Sequence, residues 1–481
     1  MEPELHGDST VKWGVMLAVG LSILMSALDI SIINVSLPVL VAELHTNFAT
    51  IQWVILGYVL VVTSMTLSVA RLGDMRGKRR LFAGGLVLFT LGSLLCGISP
   101  GAHWLVAFRM IQGLGAAVMQ ALGAAIVTEA FPSSERGRAM GMIGSTVSVG
   151  LATGPALGGF LIGLFGWRSV FLINLPVGAV ALWATLKFVP WTEEKKEDQI
   201  FDFPGAFIML VLIGSYALGM TLGQRLGFDY ASPLGLLVVA AVSLAAFVVV
   251  ERRSVSPIVD LSLFRNVLFS MNLLMAWLVF IVLAATFLIP FFLDLVMGYR
   301  PEVIGLMMIV VPLSMGLVAP GAGWLADRFG SRGVSLGGLM VCVGGCLTIS
   351  SLNQGMTLWG TALRLIPFGV GLGLFQSPNN SAIMGAAPAH RLGVASGLMT
   401  LSRTLGQTTG IPLAGTAFTA WVLATIPHSG IKDPAKAPPE AIMHGLSGVY
   451  RTAALVIAAA TLLAVAALYL DHRRKRSAGA K

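Results

Sequence analysis

Apolar runs recur along this chain from end to end, many about 18 residues or longer, enough to cross ~30 Å of hydrocarbon. Backbone inside lipid must satisfy its own hydrogen bonds, so such runs either become helices or close into a barrel. A barrel needs short segments of alternating polarity, and the sequence has none. Of the 481 residues, 56% are hydrophobic and 11% are charged, where a soluble globular protein carries roughly a quarter charged. The expected fold class is therefore an all-α polytopic membrane protein.

Fourteen spanning helices are predicted, near 13–36, 50–70, 80–98, 103–128, 136–162, 167–189, 204–223, 233–251, 266–292, 302–325, 333–352, 356–380, 392–424 and 447–470. An even number places both termini on one side. Arg168, Arg225, Arg300, Lys432, Lys436 and Arg451 fall on the opposite side, and Arg109, Arg364 and Arg403 fall within spans. The rest of the 31 Lys and Arg residues sit with the termini, so the positive-inside rule predicts cytoplasmic termini. That distribution accounts for the net charge of +9 without nucleic acid as a partner, and basic loops suit contact with anionic membrane lipid. The first run starts near Trp13 and reaches Pro38 without a small-residue cleavage site, so no removable signal peptide is expected. Cys96, Cys342 and Cys346 lie inside apolar runs, which suits packing better than a disulfide framework or a metal site.

The chain also repeats itself. Arg71–Arg79 (RLGDMRGKR) follows the second span and Gly323–Arg332 (GWLADRFGSR) follows the tenth. Ala107–Ile111 (AFRMI) resembles Ala362–Ile366 (ALRLI), and Gly150…Thr153-Gly154 resembles Gly406…Thr409-Gly410. A repeat of about 255 residues gives two six-helix halves, whose junction near the midplane is where duplicated transporters place substrate. The domains expected are 1–189, a linker with two inserted helices over 190–265, and 266–481 with a basic tail.

Within the first span, Leu28–Pro38 (LDISIINVSLP) sets Asp29 among residues suited to hydrocarbon. A buried carboxylate there must be paired, hydrated or protonated. Asp29 lies ~10 Å inside one end of its span and Arg109 lies ~9 Å inside the same end of the fourth, at 1.5 Å per residue. A pair between them, direct or through water, is expected, with snorkelling of Arg109 to the interface as the alternative. On this reading Arg109 holds Asp29 ionised while burial opposes it. Asn34, in the same stretch, is grouped with them. Histidines fall only in loops, tails and span ends, which makes them poor proton carriers. No Walker A sequence, metal-ligand cluster or Gly-x-Ser-x-Gly elbow is present, so no enzyme activity and no ATP-driven pumping is expected.

Taken together, these motifs resemble the major facilitator superfamily, and within it the 14-helix drug:proton antiporter branch (EmrB/QacA-type). The resemblance covers nearly the whole chain. It implies the major facilitator fold, with two six-helix halves plus two extra central helices. It also implies a cytoplasmic gate at Gly73, Asp74, Arg76, Gly77 and Arg79, with Glu129 as a further member and Asp327 and Arg328 in the second copy. A plain solvated basic loop is the alternative for that gate. Gly150, Gly154, Pro155, Gly158 and Gly159 resemble the branch's antiport motif, although small residues at that spacing also serve ordinary helix packing. Gly166–Pro176 (GWRSVFLINLP) is typical of the branch, and its Trp-Arg pair reads physically as an interfacial anchor. By the same resemblance Asp29 and Arg109 are associated with proton coupling and cationic substrates, while Arg364, Gln120 and Gln376 are candidates for the cavity wall.

The function implied is export of amphipathic or cationic drugs across the cytoplasmic membrane, driven by a proton gradient and needing no cofactor. Export of one endogenous metabolite, siderophore or lipid is the alternative, and a transporter-like receptor is a weaker one. A periplasmic adaptor would be a further partner in a Gram-negative host.

Overall fold

The computed structural model describes residues 9–132, 136–190, 202–227, 230–254, 259, 261–386, 392–426 and 433–478. Each of the fourteen predicted segments is helical within them, and no strand occurs among the described residues. Among the described residues, twelve helical segments are long and apolar enough to cross a membrane, and Val149–Phe165 is a shorter apolar stretch of helix. The chain divides into two compact units. One comprises Met1–Gly219, Gly235–Ile258 and Arg300–Gly305; the other comprises Met220–Leu234, Val259–Tyr299 and Leu306–Lys481.

The chain begins with α1 (Ser9–Glu43), α2 (Phe48–Ile51), α3 (Trp53–Arg76), α4 (Lys78–Gly97), α5 (Ala102–Ala130), α6 (Arg136–Phe165), α7 (Ser169–Leu172) and α8 (Asn174–Phe188). In the first unit α5 packs against α3 and α4, while α1 packs against α6 and α8. Two helices with no counterpart in the repeat follow, α9 (Phe203–Leu226) and α10 (Ala231–Arg253). Leu234, Val238, Val242 and Val249 of α10 stay exposed, an apolar face suited to lipid tails rather than to water.

The remaining helices are α11 (Val267–Ala284), α12 (Leu288–Leu295), α13 (Pro301–Met308), α14 (Val310–Phe329), α15 (Ser331–Ser350), α16 (Leu358–Ala386), α17 (Leu392–Thr425) and α18 (Pro439–Ala478). Here α16 packs against α14 and α15, and α11 packs against α17 and α18. The second unit thus repeats the internal packing of the first.

Three boundaries differ from expectation for physical reasons. The first helix does not stop before Pro38 but runs through it to Glu43. Proline removes one helical donor, which leaves the Asn34 carbonyl without its bond, yet Val35, Leu37 and Leu40 are buried and hold the segment. The last helix starts at Pro439, not at 447, because proline suits the first helical position. From the sequence, Gly73 and Gly77 both suit a tight turn between the second and third spans, yet Gly73 lies inside α3, where an added Cβ would meet Leu122 of α5. The turn belongs to Gly77 alone, at φ +90° between α3 and α4, and Gly330 repeats it at φ +86° between α14 and α15. Only glycine adopts that backbone without strain.

A buried ion pair as candidate functional site

Close helix contacts place the polar groups of the first unit. At Gly92 an added Cβ would sit 2.7 Å from Gln112 Cα, and at Gly113 it would sit 2.9 Å from Tyr58 O. These two glycines let α4 and α3 approach α5 backbone to backbone. They bring Ser93 and Tyr58 alongside Arg109 and Gln112, which share a face of α5 at i and i+3.

Asp29 reaches this group from α1. Arg109 Nη1 donates to Asp29 Oδ2 at 2.5 Å and to Gln112 Oε1 at 2.7 Å, and Arg109 Nε donates to Val54 O at 3.0 Å. Asp29 Oδ1 accepts from Gln112 Nε2 at 2.8 Å and from Asn174 Nδ2 at 3.2 Å. Ser93 Oγ accepts from Gln112 Nε2 and Asn174 Nδ2, and it donates to Phe171 O at 3.0 Å. The Arg109 guanidinium lies 4.3 Å from the Tyr58 ring centroid, where the ring quadrupole favours a cation.

Asp29 is 3% exposed and Arg109 is 1% exposed, so both charges are desolvated and their stability rests on this network. Breaking such a pair from one side costs about 3–5 kcal/mol, because a charge is left uncompensated. Gln112, Asn174 and Ser93 were not singled out by the sequence reading. Gln112 could have been, from its helical spacing to Arg109; Asn174 lies within the Gly166–Pro176 stretch, where the anchor reading points to the tryptophan and arginine instead, and Ser93 carries no local signal. Asn34 is half-buried further along α1 and is not among Asp29's partners.

The glycines of α6 that resemble the antiport motif form two seams. Along one, an added Cβ at Gly150 would lie 2.7 Å from Ala27 Cβ, and one at Gly158 would lie 3.0 Å from Ile32 Cγ2. Between them, a Cβ at Gly154 would collide with Ser31 Oγ and lie 3.2 Å from Leu28 O. The helix carrying Asp29 is therefore pressed directly onto α6. Along the other seam, Gly159 and Gly163 meet Pro301 and Glu302, and Gly305 meets the carbonyl of Pro155. Gly154→Val is expected to destabilise the first unit by about 1–3 kcal/mol through overpacking. Thermal melting of the purified protein checks this, with Gly20→Ala, where an added Cβ meets nothing within 4 Å, as the neutral control.

The same contacts fix the register of the repeat. Gly150 approaches Leu24 O and Leu28 N, and Gly406 approaches Trp277 O and Ile281 N. Leu28 therefore corresponds to Ile281, and the residue opposite Asp29 is Val282 rather than the Ile281 that matching Pro38 to Pro290 suggests. Likewise Gly92 lies on Gln112 as Gly345 lies on Phe368, which makes Leu365 the counterpart of Arg109. Arg364 is one position off. It is half-buried, bonding to Ser351 Oγ and Gly360 O at 3.1 Å each. Val282, Leu365, Phe368 and Cys346 thus stand where Asp29, Arg109, Gln112 and Ser93 do, all buried. The second unit has an apolar plug where the first has an ionic network. In this register Gln120 and Gln376 are equivalent, and both are half-buried.

Of the residues expected at a cytoplasmic gate, the side chains of Asp74, Arg76 and Asp327 lie outside the described residues. Glu129 pairs with Lys78 Nζ at 2.5 Å, tying α5 to the start of α4. Arg79 donates to Leu186 O near the end of α8. At the matching place in the second unit Arg332 pairs with Asp471 near the end of α18, a parallel the sequence reading missed. Arg328 is exposed and lies 5.6 Å from the Trp324 ring centroid on its own helix. No cluster of metal-ligating side chains occurs among the described residues.

Residues 19–411 match the profile described as Major Facilitator Superfamily. The chain is 36% identical over 429 residues to the multidrug resistance protein Stp of Mycobacterium tuberculosis, covering 87% of this chain and 79% of that protein. It is 34% identical over 403 residues to the riboflavin transporter RibZ of Clostridioides difficile, covering 83% and 86%. Among solved structures, an inward-facing, unoccupied bacterial homologue of the human lysosomal transporter Spinster superposes with a TM-score of 0.71. It covers 96% of this chain and 98% of its own at 17% identity, a likeness of fold.

Proposed function

The chain belongs to the major facilitator superfamily, as a multi-pass membrane transporter of small molecules, and on that premise we infer that it exports amphipathic or cationic compounds in exchange for protons. The observation that carries the coupling is the Asp29–Arg109 pair, an ionisable couple sealed inside one unit. Kinship with a multidrug resistance protein supports a broad cargo, and kinship with a riboflavin transporter is the reason to keep a single-compound exporter as the second reading. The membrane is the cytoplasmic one, with both termini inside, on the loop-charge argument. Small molecules, protons and membrane lipids are the partners of this reading; a periplasmic adaptor is not needed for it.

Mechanistically, a proton arriving at Asp29 Oδ2 removes the negative charge that Arg109 faces at 2.5 Å. Gln112 and Asn174 still hold Oδ1, while Arg109 keeps Val54 O, Gln112 and the Tyr58 ring. The tie between α1 and α5 therefore weakens, and the Arg109 charge, still hydrogen-bonded but without its counter-charge, favours separation of the pair. α1 lies directly against the glycine seam of α6, so a change in its hold on α5 reaches that interface. The buried Ser26 and Tyr58 hydroxyls have unused hydrogen-bonding capacity and offer the proton polar stepping points. A cation competing for the same carboxylate would make exchange obligatory. Transport into proteoliposomes with an imposed pH gradient tests the reading: ethidium should accumulate uphill, and accumulation that ignores the gradient would refute it.

A further inference from the structure

Arg403, in α17 of the second unit, carries another guanidinium in an apolar span, and its surroundings are unlike those of Arg109. Nη2 donates to Asn380 Oδ1 on α16 at 2.7 Å and lies 3.9 Å from Met399 Sδ. The Phe280 ring centroid on α11 is 5.5 Å from Cζ. Nε is buried without a hydrogen-bond partner, and Arg403 forms no ion pair with a carboxylate among the described residues. The residue nonetheless keeps some surface, and Nη1 makes no hydrogen bond among the described residues.

Arginine does not give up its proton in proteins, so this charge persists, and a persistent charge in a span needs a counter-group or water. Arg109 has an acid and two further acceptors; Arg403 has one neutral amide and the face of a ring. Nor is it a leftover of the duplication. With Gly406 matched to Gly150, the counterpart of Arg403 is Val147, so this cation is peculiar to the second unit.

We propose that Arg403, oriented by Asn380, binds a carboxylate on the transported molecule, so that the cargo includes organic acids and zwitterions. The proposal rests on the export reading and narrows its substrate class. A planar guanidinium with a free nitrogen suits a carboxylate, which an ammonium or amide would hold less well. The Phe280 face suits an aromatic body attached to that acid.

A matched pair of dyes tests this: rhodamine B, which has a free carboxylate, and its ethyl ester, which lacks it. Binding is read by fluorescence anisotropy on the full chain in phosphatidylcholine nanodiscs. Arg403→Gln should weaken rhodamine B by roughly tenfold or more, the worth of one charge-assisted hydrogen bond, and leave the ester nearly unchanged. Asn380→Ala keeps the charge and should weaken rhodamine B by a smaller factor, so the proposal stays testable should Arg403→Gln fold poorly. Equal effects on acid and ester, or no effect on either, would overturn it. So would an Arg403 dependence that appears only with phosphatidylglycerol present, since the occupant would then be a lipid phosphate. Proton-driven efflux of the ester in the same protein separates the two failures: if it persists, only the carboxylate site is lost; if it is absent in the unmodified chain, both readings fall.

Discussion

Asp29→Asn is expected to abolish uphill transport while leaving downhill exchange of substrate measurable. The substitution keeps size and shape but removes the carboxylate of the buried network. It also faces donors with a donor: Arg109 approaches one carboxylate oxygen, while Gln112 and Asn174 approach the other. Either orientation of the new amide points its nitrogen at one of these groups, a mismatch of about 1–3 kcal/mol. The variant should therefore be somewhat less stable as well as uncoupled. Thermal melting and gel filtration establish that it is folded, and flux with and without a pH gradient separates the effects. Uphill transport equal to that of the unmodified chain would remove Asp29 from the coupling mechanism.

The second large effect concerns stability, and the chain's own second half suggests the experiment. Arg109→Leu alone should destabilise the protein by about 3–5 kcal/mol, because it leaves Asp29 buried without its cation. Asp29→Val combined with Arg109→Leu installs the residues found at the equivalent places, Val282 and Leu365. Gln112, Ser93 and Asn174 remain bonded to one another in that double variant. Its melting temperature should recover most of the loss, since an apolar replacement of a buried pair is often neutral or better. Uphill transport should stay absent. A double variant as unstable as the single one would mean that the pair is needed to build the unit and not only to couple it.

Much of the architecture is legible in the sequence because hydrocarbon leaves the backbone so few options. Apolar runs mark the helices, and a constant rise per residue places Asp29 level with Arg109 by counting alone. Register between the repeats is harder. Matching Pro38 to Pro290 or Arg109 to Arg364 picks out identical letters, but a slip of one residue turns a helix position by about 100° at 3.6 residues per turn. The contacts of Gly92, Gly150, Gly345 and Gly406 decide it, and those contacts exist only once helices pack. Partners from other helices are hidden for the same reason. Asn174 sits in a stretch whose tryptophan and arginine suggest an interfacial anchor, yet its amide is 3.2 Å from the Asp29 carboxylate. Proline, too, is ambiguous: Pro38 lies inside α1 and Pro439 opens α18.

The coupling claim is tested most directly by running it in reverse. Proteoliposomes loaded with ethidium and a luminal pH dye are diluted into ethidium-free buffer at the same pH. If the chain exchanges substrate for protons, ethidium leaving down its own gradient should carry protons inward and acidify the lumen. Ethidium leaving through the protein while luminal pH stays constant would contradict the account.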